Sequence, residues 1–103
     1  MPNTKPKLIF HPKAVLDLDE AAEWYEAQKT GLGYEFLSEY EKLTKHIVTF
    51  PKMFPVLENK VRKAILSRFP YLVLYKNNSD HIFIIAVMHS KRHPDYWKHR
   101  TIE

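Results

Sequence analysis

The spacing of apolar positions changes period along the chain, and those changes mark its elements. Lys7-Leu8-Ile9-Phe10 is a short β-prone run stopped by His11-Pro12, and Pro12 suits the first turn of a helix, where a backbone N–H is not needed. From Lys13 to about Gln28, Val15, Leu18, Ala22 and Tyr25 recur at helical spacing while Asp19, Glu20, Glu23 and Glu26 fall largely elsewhere. This predicts an amphipathic helix with an acidic outer surface. Gly31 and Gly33 are the only glycines, and Gly31 fits a left-handed helix C-cap. Phe36, Tyr40, Leu43, Ile47 and Phe50 then alternate steps of four and three, one stripe along a second helix that Pro51 ends. Trp24, Tyr25, Phe36 and Tyr40 read as core.

Beyond Pro51 the period becomes that of strands. Lys52 to Lys60 reads as a loop, Val61 to Ser67 as a first strand, and Phe69-Pro70 as a bend. Tyr71 to Lys76 is a second strand, and Asn77-Asn78-Ser79-Asp80 supplies turn chemistry. His81 to His89 is nearly all apolar, the pattern of a strand covered on both faces, so the last strand of this antiparallel meander is expected to be central. The charged Ser90-Lys91-Arg92-His93 leaves the sheet where that strand ends, and Pro94 prevents its continuation. The sum is an α+β fold: an N-terminal strand, an αα-hairpin, a three-stranded antiparallel meander (β-α-α-β-β-β) and a short C-terminal segment. The helical pair must lay its apolar face on the sheet.

Composition narrows the class. With 103 residues the chain forms one domain, 1–103, with room for a single core. Met1 to Lys5 is polar and reads as a frayed terminus. There is no cysteine, which excludes disulfides and thiolate metal sites. No stretch reaches signal-peptide or membrane-spanning length, so a cytoplasmic protein without membrane contact is expected. The net charge of +4 is unevenly spread: residues 1–41 hold four Lys/Arg and eight Asp/Glu, residues 42–103 twelve and four. The basic half fits a polyanion or an acidic protein segment; a solvated face without a target is the alternative.

The elements and motifs together resemble the RelE/ParE superfamily of toxins from type II toxin–antitoxin modules, from Leu8 to about Arg100. The resemblance is carried by Phe10-His11-Pro12-Lys13-Ala14 with Asp17-Leu18, Trp24-Tyr25, Phe50-Pro51 and Val61-Arg62. It continues in Arg68-Phe69-Pro70-Tyr71, Leu74-Tyr75 and Ala86-Val87-x-His89-x-x-Arg92-x-Pro94-x-x-Trp97. It implies a small basic toxin held inactive by a cognate antitoxin through the antitoxin's acidic C-terminal segment. The ParE-like branch poisons DNA gyrase, and the RelE-like branch cleaves mRNA on the ribosome; the ending from His89 to Trp97 is closer to the ParE-like, plasmid-stabilisation branch. A non-toxic relative that only binds antitoxin is a further alternative.

Were the chain a nuclease, it would work without metal or cofactor. His89 would act as base or acid, with Arg62, Arg68 and Arg92 holding phosphate and Tyr96 or Trp97 stacking on a base. Leu72 departs from the arginine that many relatives carry there, which counts against this role. As an interaction protein it would use Arg62, Lys63, Arg68, Lys91, Arg92, Tyr96 and Trp97 against antitoxin or target. Plain structural roles stand beside these: His89 capping its strand, Arg62 and Arg68 as solvated charges or partners of the acidic helices, and Trp97 as a lid on the core. The pair His89 and His93 has helical metal-ligand spacing, but Pro94 and the preceding strand argue against a helix and hence against a metal site.

Overall fold

A computed structural model describes residues 6–100, so the expected fraying of Met1 to Lys5 lies outside the described residues. Strand β1 (Lys7–Phe10) leads into α1 (Pro12–Gln28) and α2 (Leu32–Thr49), followed by β2 (Val56–Glu58), β3 (Val61–Ile65), β4 (Tyr71–Asn77) and β5 (His81–His89). They form one five-stranded sheet in the order β1-β5-β4-β3-β2. The meander β3-β4-β5 is antiparallel as expected, and β1 adds to it parallel to β5, Lys7 opposite His81 and Phe10 opposite Ile84. One element was not expected: part of the predicted loop from Lys52 to Lys60 is β2, a short edge strand on β3. Its three residues, all exposed, carry too little periodicity to announce a strand.

Glycine and Glu26 fix the helical hairpin. Gly31 does take the left-handed conformation, at φ 91°, but as the N-cap of α2 rather than the C-cap of α1, a place held by Lys29. The Glu26 carboxylate accepts the N–H groups of Gly31 and Gly33 at 3.0 to 3.1 Å, placing a negative charge on the open donors and positive dipole end of α2. At Gly33 a Cβ would come within 2.6 Å of the Ala22 carbonyl oxygen, so the two helices meet closely because nothing is there. The outer acidic surface of α1 therefore includes one structural carboxylate.

The core has two layers. Between helices and sheet lie Ala14, Ala21, Phe36, Tyr40, Ile47, Ala64, Val73, Tyr75, Ile82, Ile84 and Val87. On the other side of the sheet Val61, Leu74, Phe83, Ile85, Ala86 and Met88 are closed over by Trp97 from the C-terminal segment. Ile82 to Met88 are buried throughout, which is why β5 lacks the alternation of a one-sided strand. Each large side chain so enclosed contributes about 1.5–3 kcal/mol.

Three expectations about side chains are corrected. The buried stripe of α1 runs through Ala14, Asp17 and Ala21, so Val15 is exposed. Trp24 is 58% exposed and not core, because in that turn of α1 it is Tyr25 that packs inward, on Phe36, Phe69 and Tyr71. Phe50 does not complete the α2 stripe: it is the C-cap residue, and leaving the helix turns its ring outward.

Candidate functional site

The end of β5 gathers most of the chemistry. β1 stops at Phe10 because His11-Pro12 turns the chain into α1, with the His11 Nδ1 accepting the Lys13 N–H at 3.0 Å. Beyond Ile84, β5 therefore loses its neighbour on that side, and two buried charged groups take the neighbour's place. Asp17 Oδ2 accepts the Val87 N–H at 3.0 Å, and Arg100 donates to the Ile85 carbonyl at 2.8 Å. Ile85 is also the residue skipped where the β4-β5 register shifts, a bulge that makes its carbonyl available. Arg100 and Asp17 close on each other through two hydrogen bonds of 2.7 and 3.0 Å, and the Tyr96 hydroxyl donates to Asp17 Oδ1 at 2.7 Å. One carboxylate thus ties α1, β5 and the C-terminal segment together.

The electrostatics follow. Burial works against the Arg100 charge, but the hydrogen bonds and charge of Asp17 outweigh it and raise the guanidinium's pKa. Burial, then the bond to Asp17, raises the Tyr96 phenol. The Tyr96 ring lies between two guanidiniums, Arg92 at 4.4 Å and Arg100 at 4.8 Å from its centroid. Arg92 is thereby pre-positioned by stacking, while its head remains exposed.

A cleft opens beside this cluster between α1 and the ends of β4 and β5. Tyr71 stands opposite His89 in the register, with ring centroids 5.3 Å apart and nearly perpendicular. Two hollows of about 160 and 380 Å³ share Trp24, Tyr71 and His89 as walls; Glu20, Arg92 and Tyr96 border the first and Tyr25 and Pro70 the second. The Lys91 N–H donates to His89 Nδ1 at 3.0 Å, so the neutral ring carries its proton on Nε2. In that state His89 offers a donor rather than a base. His93 is held likewise, its Nδ1 accepting the Asp95 N–H at 3.0 Å, and no cluster of three metal-ligating side chains occurs among the described residues.

The remaining expected site residues lie elsewhere. Arg62 faces the helix side at the far end of the sheet: it pairs across to Tyr75, which pairs with Ile84, five positions and about 17 Å of strand from His89. Its guanidinium donates to the Phe54 carbonyl at 2.6 Å and the Lys52 carbonyl at 3.2 Å. The Tyr75 hydroxyl, its pKa pushed up to about 12 by burial, donates to Pro51 O, so the two side chains pin the α2-β2 connection. Lys63 alternates to the opposite face of β3. Arg68, in the left-handed region at φ 70°, sits in the β3-β4 turn and pairs with Glu35 and Glu39 of α2. Lys91 is exposed and Trp97 is buried. The structure brings His89, Arg92 and Tyr96 together and leaves Arg62, Lys63 and Arg68 apart from them.

Sequence reasoning passed over Asp17 and Arg100 as functional groups and placed Trp24 in the core. A signal for Asp17 was present: on the stripe 14-17-21 it is a lone carboxylate at an apolar spacing, which requires a buried cation. The stripe through Val15 conceals it.

The family described as "ParE toxin of type II toxin-antitoxin system, parDE" matches residues 8–94. A solved structure titled "Chromosomal ParDE TA system from P. aeruginosa" is similar with a TM-score of 0.68 and 19% identity, covering 82% of this chain and 96% of that one. At that identity the likeness concerns the fold. No curated protein gave a significant match.

Proposed function

This chain belongs to the ParE toxin family of type II toxin–antitoxin systems, and from that premise we propose that it halts growth by poisoning DNA gyrase and is neutralised by a cognate antitoxin. One observation favours gyrase over mRNA as the target: the groups a metal-free nuclease would converge on one phosphate are dispersed and already engaged. Arg62 is spent on two backbone carbonyls and the His89 Nδ1 lone pair on the Lys91 N–H, while Arg68, paired at the surface with Glu35, lies apart from both in the β3-β4 turn. A ribonuclease needs a base and several cations within hydrogen-bond reach of the same few atoms. An interaction protein does not. Action on gyrase implies a cytoplasmic site of action; no helix among the described residues is long and apolar enough to cross a membrane.

The antitoxin would bring an acidic C-terminal segment to the exposed cations Arg68, Lys91 and Arg92, with Lys63 on the other face of the sheet a separate contact. Induced expression in a bacterium is the test. Filamentation with DNA damage, and trapping of gyrase on cleaved DNA by the purified chain, are the expected results. Rapid loss of translation with cut mRNA would replace gyrase by the ribosome as target, and unimpaired growth would leave antitoxin binding alone.

A further inference from the structure

The cleft between α1 and the ends of β4 and β5 combines aromatic walls with a polar rim. Trp24 is an exposed indole held edge-on to Tyr25 with centroids 5.1 Å apart, on a helix face otherwise acidic. Facing it are Tyr71 and the His89 ring, so the walls are aromatic. Polar character is confined to the rim. There Arg92 makes no ion pair among the described residues and is fixed by its stack on Tyr96, while the His89 Nε2 carries a proton to donate. Glu20 lines the opposite wall.

From this arrangement we infer that the cleft receives a polypeptide segment of the toxin's protein target: an aromatic or large apolar side chain enters between Trp24 and Tyr71, and an adjacent carboxylate meets Arg92 and the His89 Nε2–H. The charge pattern selects a polypeptide over a nucleic acid, and the choice of the target's segment rests on the gyrase reading. A nucleic acid would also stack on the aromatic walls, but its repeating phosphates would run past Glu20 and the acidic outer face of α1, where they are repelled. A peptide with one anion beside one apolar group places its charge at Arg92, the one lysine or arginine that lines the cleft among the described residues. Accessible aromatic rings flanked by an exposed arginine are also the residue types that dominate protein–protein recognition. The inference deepens the gyrase reading by naming the contact, and it can fail separately from it.

The minimal probe is N-acetylphenylalanine, with the uncharged N-acetylphenylalaninamide as control. Of the two tryptophans, Trp97 is 3% exposed and Trp24 58%, so a change in indole emission on titrating the intact chain reports the cleft. The acid is expected to give a saturable change and to bind more tightly than the amide by about fivefold at low salt, the upper end for one exposed ion pair. Arg92→Glu should erase that preference while leaving amide binding in place. No saturable change, equal binding of acid and amide, or a preference unaltered in Arg92→Glu overturns the inference. Displacement of the acid by a short oligoadenylate more effectively than by an acidic phenylalanine-containing peptide overturns it in favour of a nucleic acid. With gyrase, Trp24→Ala and Arg92→Glu should each trap less cleaved DNA than the parent chain, and undiminished trapping removes the target contact. If the parent chain traps none while acid binding persists with its preference, the target assignment falls and the peptide-binding chemistry of the cleft stands.

Discussion

Two arginine–carboxylate pairs in this molecule have the same chemistry and opposite surroundings. Arg100 and Asp17 have side chains 3% and 4% exposed; Arg68 and Glu35 have 54% and 43%. The first pair also holds two backbone groups of β5 and a tyrosine hydroxyl, so each charge has several partners that would be orphaned by its loss. The second adds only a 3.6 Å approach of Arg68 to Glu39 and its position over the Phe69 ring, 5.4 Å from the centroid, among the described residues. Burial, not pairing, decides which arginine builds the fold and which stays available. The basic half of the chain is accordingly divided, with Arg100 and Arg62 committed to structure and Arg68, Lys91 and Arg92 presented to solvent.

The strongest way to break this contrast is Asp17→Asn. The change keeps the shape but leaves the Arg100 charge uncompensated inside the protein, and a cost of about 3–5 kcal/mol is expected in urea unfolding. A loss below about 1 kcal/mol would mean that water reaches the pair and that burial is not what distinguishes it. Combining Asp17→Leu with Arg100→Met should restore much of the stability, since an apolar pair avoids desolvating two ions, although the Val87 N–H and Ile85 carbonyl stay unsatisfied. Tyr96→Phe sharpens the same point at smaller scale. It removes one bond to a charged acceptor and keeps the ring between Arg92 and Arg100, for an expected loss of about 1.5–3 kcal/mol.

What the sequence reveals follows this division. Periodicity marks both helices and the meander because those patterns report burial directly, and Trp97 closing the core is legible from size alone. The parallel pairing of β1 with β5 and the strand β2 are not legible, since each depends on which distant edge remains open. The site suffers in the same way. His89, Arg92 and Tyr96 are neighbours in the chain, and Tyr71 joins them through the β4-β5 register; Trp24 reaches them only through the packing of α1 on the sheet. Arg62, Arg92 and Arg100 look alike as letters; backbone carbonyl partners set the first and last apart from Arg92, and for Arg100 so do burial and the pair with Asp17.

His11 tests how far the buried cluster is felt. Its pKa is lowered first by burial and then by the Arg100 charge, with Asp17 acting in the opposite direction. A histidine depressed in the folded state binds fewer protons folded than unfolded. Stability should therefore fall as pH drops from the unfolded value near 6.5 toward the folded pKa, and level off below it. Asp17→Asn removes the opposing charge and should lower the His11 titration further, which proton NMR of the imidazole measures. His11→Ala should cost about 1 kcal/mol through the lost N-cap and abolish this part of the pH dependence.

The smallest effect belongs to the exposed pair, and its smallness is informative. The hydrogen bond from Arg68 holds the Glu35 carboxyl below its ordinary pKa, so whatever the pair contributes is present above the unfolded carboxylate value and lost as pH falls through the folded one. In Arg68→Ala the Glu35 titration should return to the ordinary carboxylate range while the urea midpoint stays within error of the parent, and added salt should produce part of the same titration change. A clear drop in the midpoint would make Arg68 a structural residue like Arg100. An unmoved midpoint means that Arg68 can exchange Glu35 for a carboxylate on another protein at little cost to the fold. Asp17 cannot release Arg100 on those terms, because two strand groups and a tyrosine would lose their partners with it.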